Sequence, residues 1–202
     1  KTIIEDLKPS DEELKTILDG YYGYNSNYPE GLYVADSTGQ LITASESTKK
    51  ESDVTNSTWY KEGLTRVNMA VGSAYQNADG VNVISASGIL NDGSDKVRVI
   101  SADMTLDRIA IIVNSFIEMN DAEAFLVDKT SGVILANRDS SLISQTLGAE
   151  GQSHFYQLTA EKAAEKDYNF ATLDGNMTVF QEVDGTNWLL ISYIPTSIVL
   201  SD

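Results

Sequence analysis

Three aromatic residues and one aspartate in this sequence could together hold a cation. Trp59 and Tyr60 sit side by side in TNSTWYKEG (55–63), a stretch otherwise of Thr, Asn, Ser, Gly and charged residues, and Tyr75 and Asp103 follow. Aromatic faces attract a cation, each contributing roughly 0.5–2 kcal/mol according to desolvation. The Trp59 indole N–H can also donate to a carboxylate or carbonyl. Asp103 closes VRVISAD, an apolar-alternating run, where a carboxylate partly withdrawn from water needs a partner. A ligand ammonium would supply one through charge-assisted hydrogen bonds. The competing reading makes Asp103 the N-cap of a helix opened by DMTLDRI and the aromatics ordinary core. Ser85 and Ser87 alternate along VNVISASG, so they point either into the same cavity or to solvent.

Catalysis finds less support. The only histidine is His154, in GQSHFYQL, so any Ser-His-Asp arrangement must use it. There is no cysteine, which excludes disulfides and thiolate metal sites. No Gly-rich phosphate loop is present. Thirty acidic residues form carboxylate pairs by chance. Neither enzyme activity, nor a cofactor, nor a metal site is expected. Asn56-Ser57-Thr58 and Asn176-Met177-Thr178 match the glycosylation acceptor pattern, which keeps open an adhesion or protein-binding module with no small ligand.

These residues must be positioned by a chain of 202 residues with 42% hydrophobic content, enough for one large domain or two small ones. The net charge of −16 repels phosphate backbones, so nucleic-acid binding is excluded. No apolar run reaches the roughly 18 residues of a membrane span, and no leader pattern opens the chain. Its abrupt ends at Lys1 and Asp202 suit a piece of something longer.

Ile3, Ile4, Leu7, Leu14, Ile17, Leu18, Tyr21 and Tyr22 recur at helical spacing, predicting a long helix over 1–22 with a restart signal after Pro9. GYNSNYPEG then breaks it. LYVADSTGQLITA (32–44) reads as a hairpin, and it lines up with AFLVDKTSGVILAN (124–137): Asp36 with Asp128, Gly39 with Gly132. Each copy is followed by an aromatic pair, Trp59-Tyr60 and then Phe155-Tyr156, and by three strand-like runs joined at Asp-Gly turns. An offset of roughly 90 residues is too long for a solenoid repeat. It marks two copies of one α+β module, with the helical TLDRIAIIVNSFIEMND between them.

This arrangement resembles the double Cache (dCache) sensor domains, the PAS-like extracytoplasmic regions of bacterial chemoreceptors, sensor histidine kinases and diguanylate cyclases. The resemblance spans essentially the whole chain: GLYVADSTGQLI, WYKEGL, VRVISADMTLDRI, AFLVDKTSGVILA and NWLLISYIPTSIV, in that order. It implies a long N-terminal helix with its break (1–30), a membrane-distal ligand-binding module (31–119) and a membrane-proximal module (120–202). Amino-acid-binding members carry Arg-x-Trp-Tyr, then Tyr-x-Asp, then Asp at the end of the last distal strand. Trp59, Tyr60, Tyr75 and Asp103 match, Asn77 stands at the Asp of Tyr-x-Asp, and Ser57 stands where the arginine should be. That arginine would pair with a ligand carboxylate. The sequence leaves open a replacement from elsewhere, such as Arg66 or Arg98. With Ser85 added, these residues are the expected ligand set.

The resemblance thus implies a non-catalytic sensor, tethered to the membrane in the full-length protein, that binds an amine or amino-acid-like solute. It also implies a homodimer through the N-terminal helix, whose apolar stripe equally allows packing on its own domain.

Overall fold

The computed structural model describes residues 1–199, in two compact units, 1–105 and 106 onward. Each unit is an antiparallel sheet with helices against it.

The first unit opens with α1 (Thr2–Leu7) and α2 (Asp11–Tyr21), so the single long helix predicted over 1–22 is two. Pro9 offers no N–H to continue a helix. Lys8 turns into the left-handed region at φ 46°. Ser10 then restarts the chain as an N-cap: its Oγ accepts the Glu13 N–H at 3.3 Å and donates to the Glu13 carboxylate at 2.9 Å. Ile4, Leu14 and Leu18 bury against Val34, Leu90 and Ile100 of this unit's own sheet. Ile4, Leu14 and Leu18 of the apolar stripe are thus spent within the unit, while Ile3 and Leu7 stay exposed.

The sheet comprises β1 (Tyr33–Asp36), β2 (Leu41–Thr43), β3 (Ala70–Val71), β4 (Tyr75–Gln76), β5 (Asn82–Leu90) and β6 (Arg98–Thr105), in the order β2-β1-β6-β5-β3 with β4 also on β5. The β1–β2 turn is set by Asp36, whose Oδ1 accepts the N–H groups of Thr38 at 2.8 Å and Gln40 at 3.2 Å. Its repeat partner Asp128 does the same for Thr130 and Ser131, so this pair of aspartates builds turns. Helices α1 and α2 cover one face of the sheet. On the other, Tyr33, Ala35 and Val99 meet Trp59 and Tyr60 of α3 (Thr58–Gly63). Strand β6 is buried from Arg98 to Met104 because both of its faces are covered.

The second unit begins with α4 (Leu106–Asn120), which packs on β7 (Glu123–Asp128) and β8 (Ile134–Ala136). These contacts put the division at 105/106 and not at 119/120. Then come α5 (His154–Ala164), β9 (Ala171–Leu173), β10 (Asn176–Val183), β11 (Trp188–Pro195) and α6 (Thr196–Val199). The order β8-β7-β11-β10-β9 repeats β2-β1-β6-β5-β3 strand for strand, as the sequence repeat requires. Phe125, Phe155, Phe180 and Ile191 centre its core.

Candidate functional site

Asp103 lies beside Ser85 in the β5–β6 register, and Tyr33 of β1 pairs with Ser101 two residues earlier on β6. Strand alternation therefore brings Tyr33, Ser85 and Asp103 to one face. Oδ1 of Asp103 accepts the Tyr33 hydroxyl and the Ser85 hydroxyl, the latter at 2.6 Å. The single Ser85 hydroxyl hydrogen is thereby used, so Tyr75, 2.5 Å away, donates to Ser85 Oγ. Burial pushes the Tyr33 phenol well above its ordinary value, and the Asp103 charge adds to the shift. Tyr75 is raised for the same two reasons. Both phenols stay protonated at neutral pH and remain donors.

The second carboxylate oxygen holds a cation. Lys49 Nζ is 2.9 Å from Asp103 Oδ2, with side chains only 5% and 9% exposed. The same ammonium lies 4.5 Å from the Tyr33 ring centroid and 5.6 Å from that of Trp59, while those two rings meet edge to face at 4.8 Å. This is an aromatic cage around an ammonium, closed by a carboxylate. Lys49 comes from residues 45–53, an irregular strap between β2 and the short turn at Val54–Asn56. Two residues further along the strap, Glu51 accepts the Trp59 indole N–H at 3.3 Å. Glu30 fastens the strap, accepting the Ser47 hydroxyl at 2.5 Å, the Thr48 N–H at 2.7 Å and the Thr48 hydroxyl at 2.6 Å. Beneath it, a cavity of about 160 Å³ reaches Asp103, Asn77 and Glu30.

Of the residues singled out in the sequence, Trp59, Tyr75, Ser85 and Asp103 are brought together. Asp103 caps no helix, since it lies within β6 and α4 starts at Leu106. Ser85 does not face solvent; it is fully buried. Asn77 borders the cavity, but its Oδ1 accepts the N–H groups of Asp79 and Val81 and shapes the β4–β5 turn. Tyr60 is not brought to Asp103: its hydroxyl donates to the Val97 carbonyl at 3.3 Å. Ser57 donates to the Val54 carbonyl at 2.5 Å and stands at the start of α3. Ser87 bonds to Arg66. Neither arginine considered as a replacement reaches the cage. Arg66 donates to Ala70 and Ser87, and Arg98 pairs with Asp92 and Asp11.

Sequence reasoning gave Tyr33 no firm place in the site and overlooked Lys49, Glu51 and Glu30 entirely. Strand alternation from Tyr33 to Ser101 could have placed the phenol. The strap carries no periodic pattern, so nothing local marks Lys49 out from its neighbour Lys50.

A larger concavity of about 600 Å³ runs past Lys1, Glu5, Asp92 and Arg98, where Lys1 pairs with Glu5 and Arg98 with Asp92. No comparable cage exists in the second unit among the described residues. Tyr193 takes the position equivalent to Asp103, opposite Thr178 where the first unit has Ser85. It packs on Phe155 at 4.6 Å.

The family model described as "Cache domain", of the double Cache type, matches residues 1–202. No curated protein matches the chain. Among solved structures, the chain is similar to the extracellular domain of the putative histidine kinase mmHK1S-Z2, with a TM-score of 0.74, 12% identity, and coverage of 100% of this chain and 89% of that one. The ligand-binding domain of the Pseudomonas aeruginosa PAO1 amino-acid chemoreceptor PctB, in complex with L-Gln, gives 0.66, 18%, 100% and 81%. That of the Pseudomonas fluorescens chemoreceptor CtaA, with L-isoleucine, gives 0.59, 20%, 84% and 70%.

Proposed function

This chain belongs to the Cache domain family, and we propose on that premise that it is the extracytoplasmic ligand-binding region of a membrane signalling receptor. Its first unit binds a small solute carrying an amino group. The observation that carries this reading is Asp103: a carboxylate 8% exposed, held by two hydroxyl donors and closed over a cation between the Tyr33 and Trp59 rings. A carboxylate so placed is costly without a cation, which makes the position selective for one. The relatives crystallised with L-Gln and L-isoleucine support an amino acid as the ligand class. With Ser57 in place of the arginine, the Trp59 indole is the donor left for a ligand carboxylate.

The second unit fills the equivalent position with Tyr193 and is structural in this reading. Signalling is a shift in population: the ligand binds one arrangement of the first unit better and so favours it. Membrane helices continuing from the chain's two ends would carry that shift inward to an output domain. No chemistry is performed on the ligand. A homodimer would have to use surfaces other than the buried stripe of α2.

A thermal-shift screen of the twenty L-amino acids, γ-aminobutyrate (GABA), simple amines, carboxylates and purines, on the wild type and on Asp103→Ala, tests this. A ligand at 100 times its Kd adds about 2.7 kcal/mol, a shift of several degrees. An amino-bearing hit that disappears in Asp103→Ala is expected. Stabilisation by carboxylates or purines alone would overturn the ligand class, and no stabilisation at all would favour a protein-binding module.

A further inference from the structure

We propose that Lys49 and Glu51 form a tethered stand-in for the ligand, so that the site selects a zwitterion and binding expels the strap. This rests on the sensor reading above and names its ligand class. Two groups in the cage can recognise a small amino acid: the Asp103 carboxylate for an ammonium and the Trp59 indole N–H for a carboxylate. Both are already engaged by one short piece of chain. The Lys49 ammonium sits on Asp103 at 2.9 Å and the Glu51 carboxylate on Trp59 Nε1 at 3.3 Å. Lys49 and Glu51 thus present one positive and one negative head to the same pair of groups.

Space points the same way. The cavity under the strap is about 160 Å³, against the roughly 300–1,000 Å³ usual for small-molecule sites. Asp103 Oδ1 is taken by two hydroxyls and Oδ2 by Lys49, so a ligand ammonium pairing with this carboxylate takes the place that Lys49 Nζ holds. The strap can give way without breaking the sheet, because side chains fasten it and no strand ladder does. Glu30 holds Ser47 and Thr48, and Asp19 holds Ser45 through its N–H and its hydroxyl at 2.5 and 2.9 Å.

Charge balance sets the specificity. Exchanging Lys49 and Glu51 for one zwitterion leaves Asp103 with a cation and the indole with an anion, so no buried charge loses its partner. A simple amine replaces only Lys49, and a simple carboxylate only Glu51; each leaves half the stand-in in place. The displaced strap is then the element whose position reports occupancy. Because closed strap and bound ligand compete, the apparent affinity is reduced by the fraction of molecules with the strap open.

The test uses the same twenty L-amino acids and GABA, with n-butylamine and butyrate as single-charge controls. Titration calorimetry is run on the wild type, Lys49→Met and Glu30→Gln. Reductive methylation read by mass spectrometry compares Lys49 with the exposed Lys50. Glu30→Gln leaves every cage group intact, so it remains informative even if Lys49→Met fails to fold. The amino acid that binds the wild type is expected to bind both variants about tenfold or more tightly. It should also raise Lys49 methylation towards that of Lys50, while the controls do neither. Binding to the wild type with Lys49 still protected, or unchanged affinity in Glu30→Gln, overturns the stand-in and leaves the sensor reading intact. No binding to any of the three proteins sinks the sensor reading and the stand-in with it.

Discussion

Asp103 and Tyr193 occupy equivalent register positions in the two sheets, Asp103 opposite Ser85 and Tyr193 opposite Thr178. The same ladder position is thus a carboxylate on a cation in one unit and part of an aromatic core in the other. Burial raises the Tyr193 phenol to about 12, a group withdrawn from water beside Phe125 and Phe155.

From that equivalence, Tyr193→Asp should be among the most damaging single changes in the second unit. It would replace a half-buried ring with a carboxylate against Phe125 and Phe155, where the nearby Arg138 cation is already paired with Glu123. Losing the ring contacts and partly burying a charge together cost about 3 kcal/mol. Urea denaturation should show a loss of that size, whereas Tyr193→Phe, which keeps the ring contacts, should lose less than about 1 kcal/mol. Equal losses would mean that the hydroxyl, not the apolar surroundings, sets the residue at this position.

The aromatic cage makes a second prediction, about coupling. Removing one member of a buried ion pair costs about 3–5 kcal/mol, because the remaining charge is stranded. Asp103→Ala strands Lys49, and Lys49→Met strands Asp103. The double variant strands neither, so it should be clearly more stable than the sum of the two single losses predicts. A double-mutant cycle on chemical denaturation measures this directly. Additive losses would show that the 2.9 Å contact is not an energetic pair.

Packing behind the cage yields the third. Gly88 lies on β5 where the chain at Asn68 and Met69 crosses it. A Cβ at Gly88 would stand 2.9 Å from the Met69 nitrogen and 3.0 Å from the Asn68 carbonyl carbon. Both are backbone atoms, which cannot swing aside as a side-chain tip can. Gly88→Ala should therefore destabilise the first unit by about 1–3 kcal/mol, as overpacking does. The change should appear in the thermal midpoint. Gly20→Ala meets nothing within 4 Å and sits in the last turns of α2, so it should be neutral or slightly stabilising.

What the sequence made legible divides along physical lines. The repeat, the hairpins and the Asp36 and Asp128 turns follow from local rules: alternation, Gly at positive φ, Asp accepting N–H groups two residues on. Asp103, Tyr75 and Trp59 are legible through the family pattern, whereas alternation alone leaves Ser85 between cavity and solvent, and its pairing with Asp103 across the sheet decides the face. The restart signal at Ser10 was visible, yet its power to split the helix depended on Lys8 turning left-handed ahead of Pro9. Tyr60 was misplaced because adjacent residues on a helix point about 100° apart. Trp59 turns to Tyr33 and the Lys49 ammonium, while Tyr60 turns to Val97, just ahead of β6. Lys49 was illegible because it reaches Asp103 across 54 residues of sequence from an irregular segment. Contacts of that kind are set by tertiary closure.

The fastening of the strap predicts a dependence on pH. Partial burial disfavours a charge on Glu30, but hydrogen bonds from the Ser47 hydroxyl and from the Thr48 hydroxyl and N–H outweigh it. The net effect holds the carboxyl below the ordinary value of 4.5. The sign follows from linkage: a depressed folded-state value means that the ionised form favours folding. That contribution is complete above 4.5 and is lost as the pH falls through the lower folded-state value. Protonation turns an acceptor of three hydrogen bonds into a weaker one, so the strap should loosen in acid while the sheet stays paired. An NMR titration should show the Glu30 carboxyl carbon inflecting below 4.5, with the Thr48 amide following it. In Glu30→Gln the Thr48 amide should lose that inflection. A Glu30 inflection at or above 4.5 would mean that Ser47 and Thr48 do not hold this carboxylate, and that the strap is closed by its contacts to Asp19, Asp103 and Trp59.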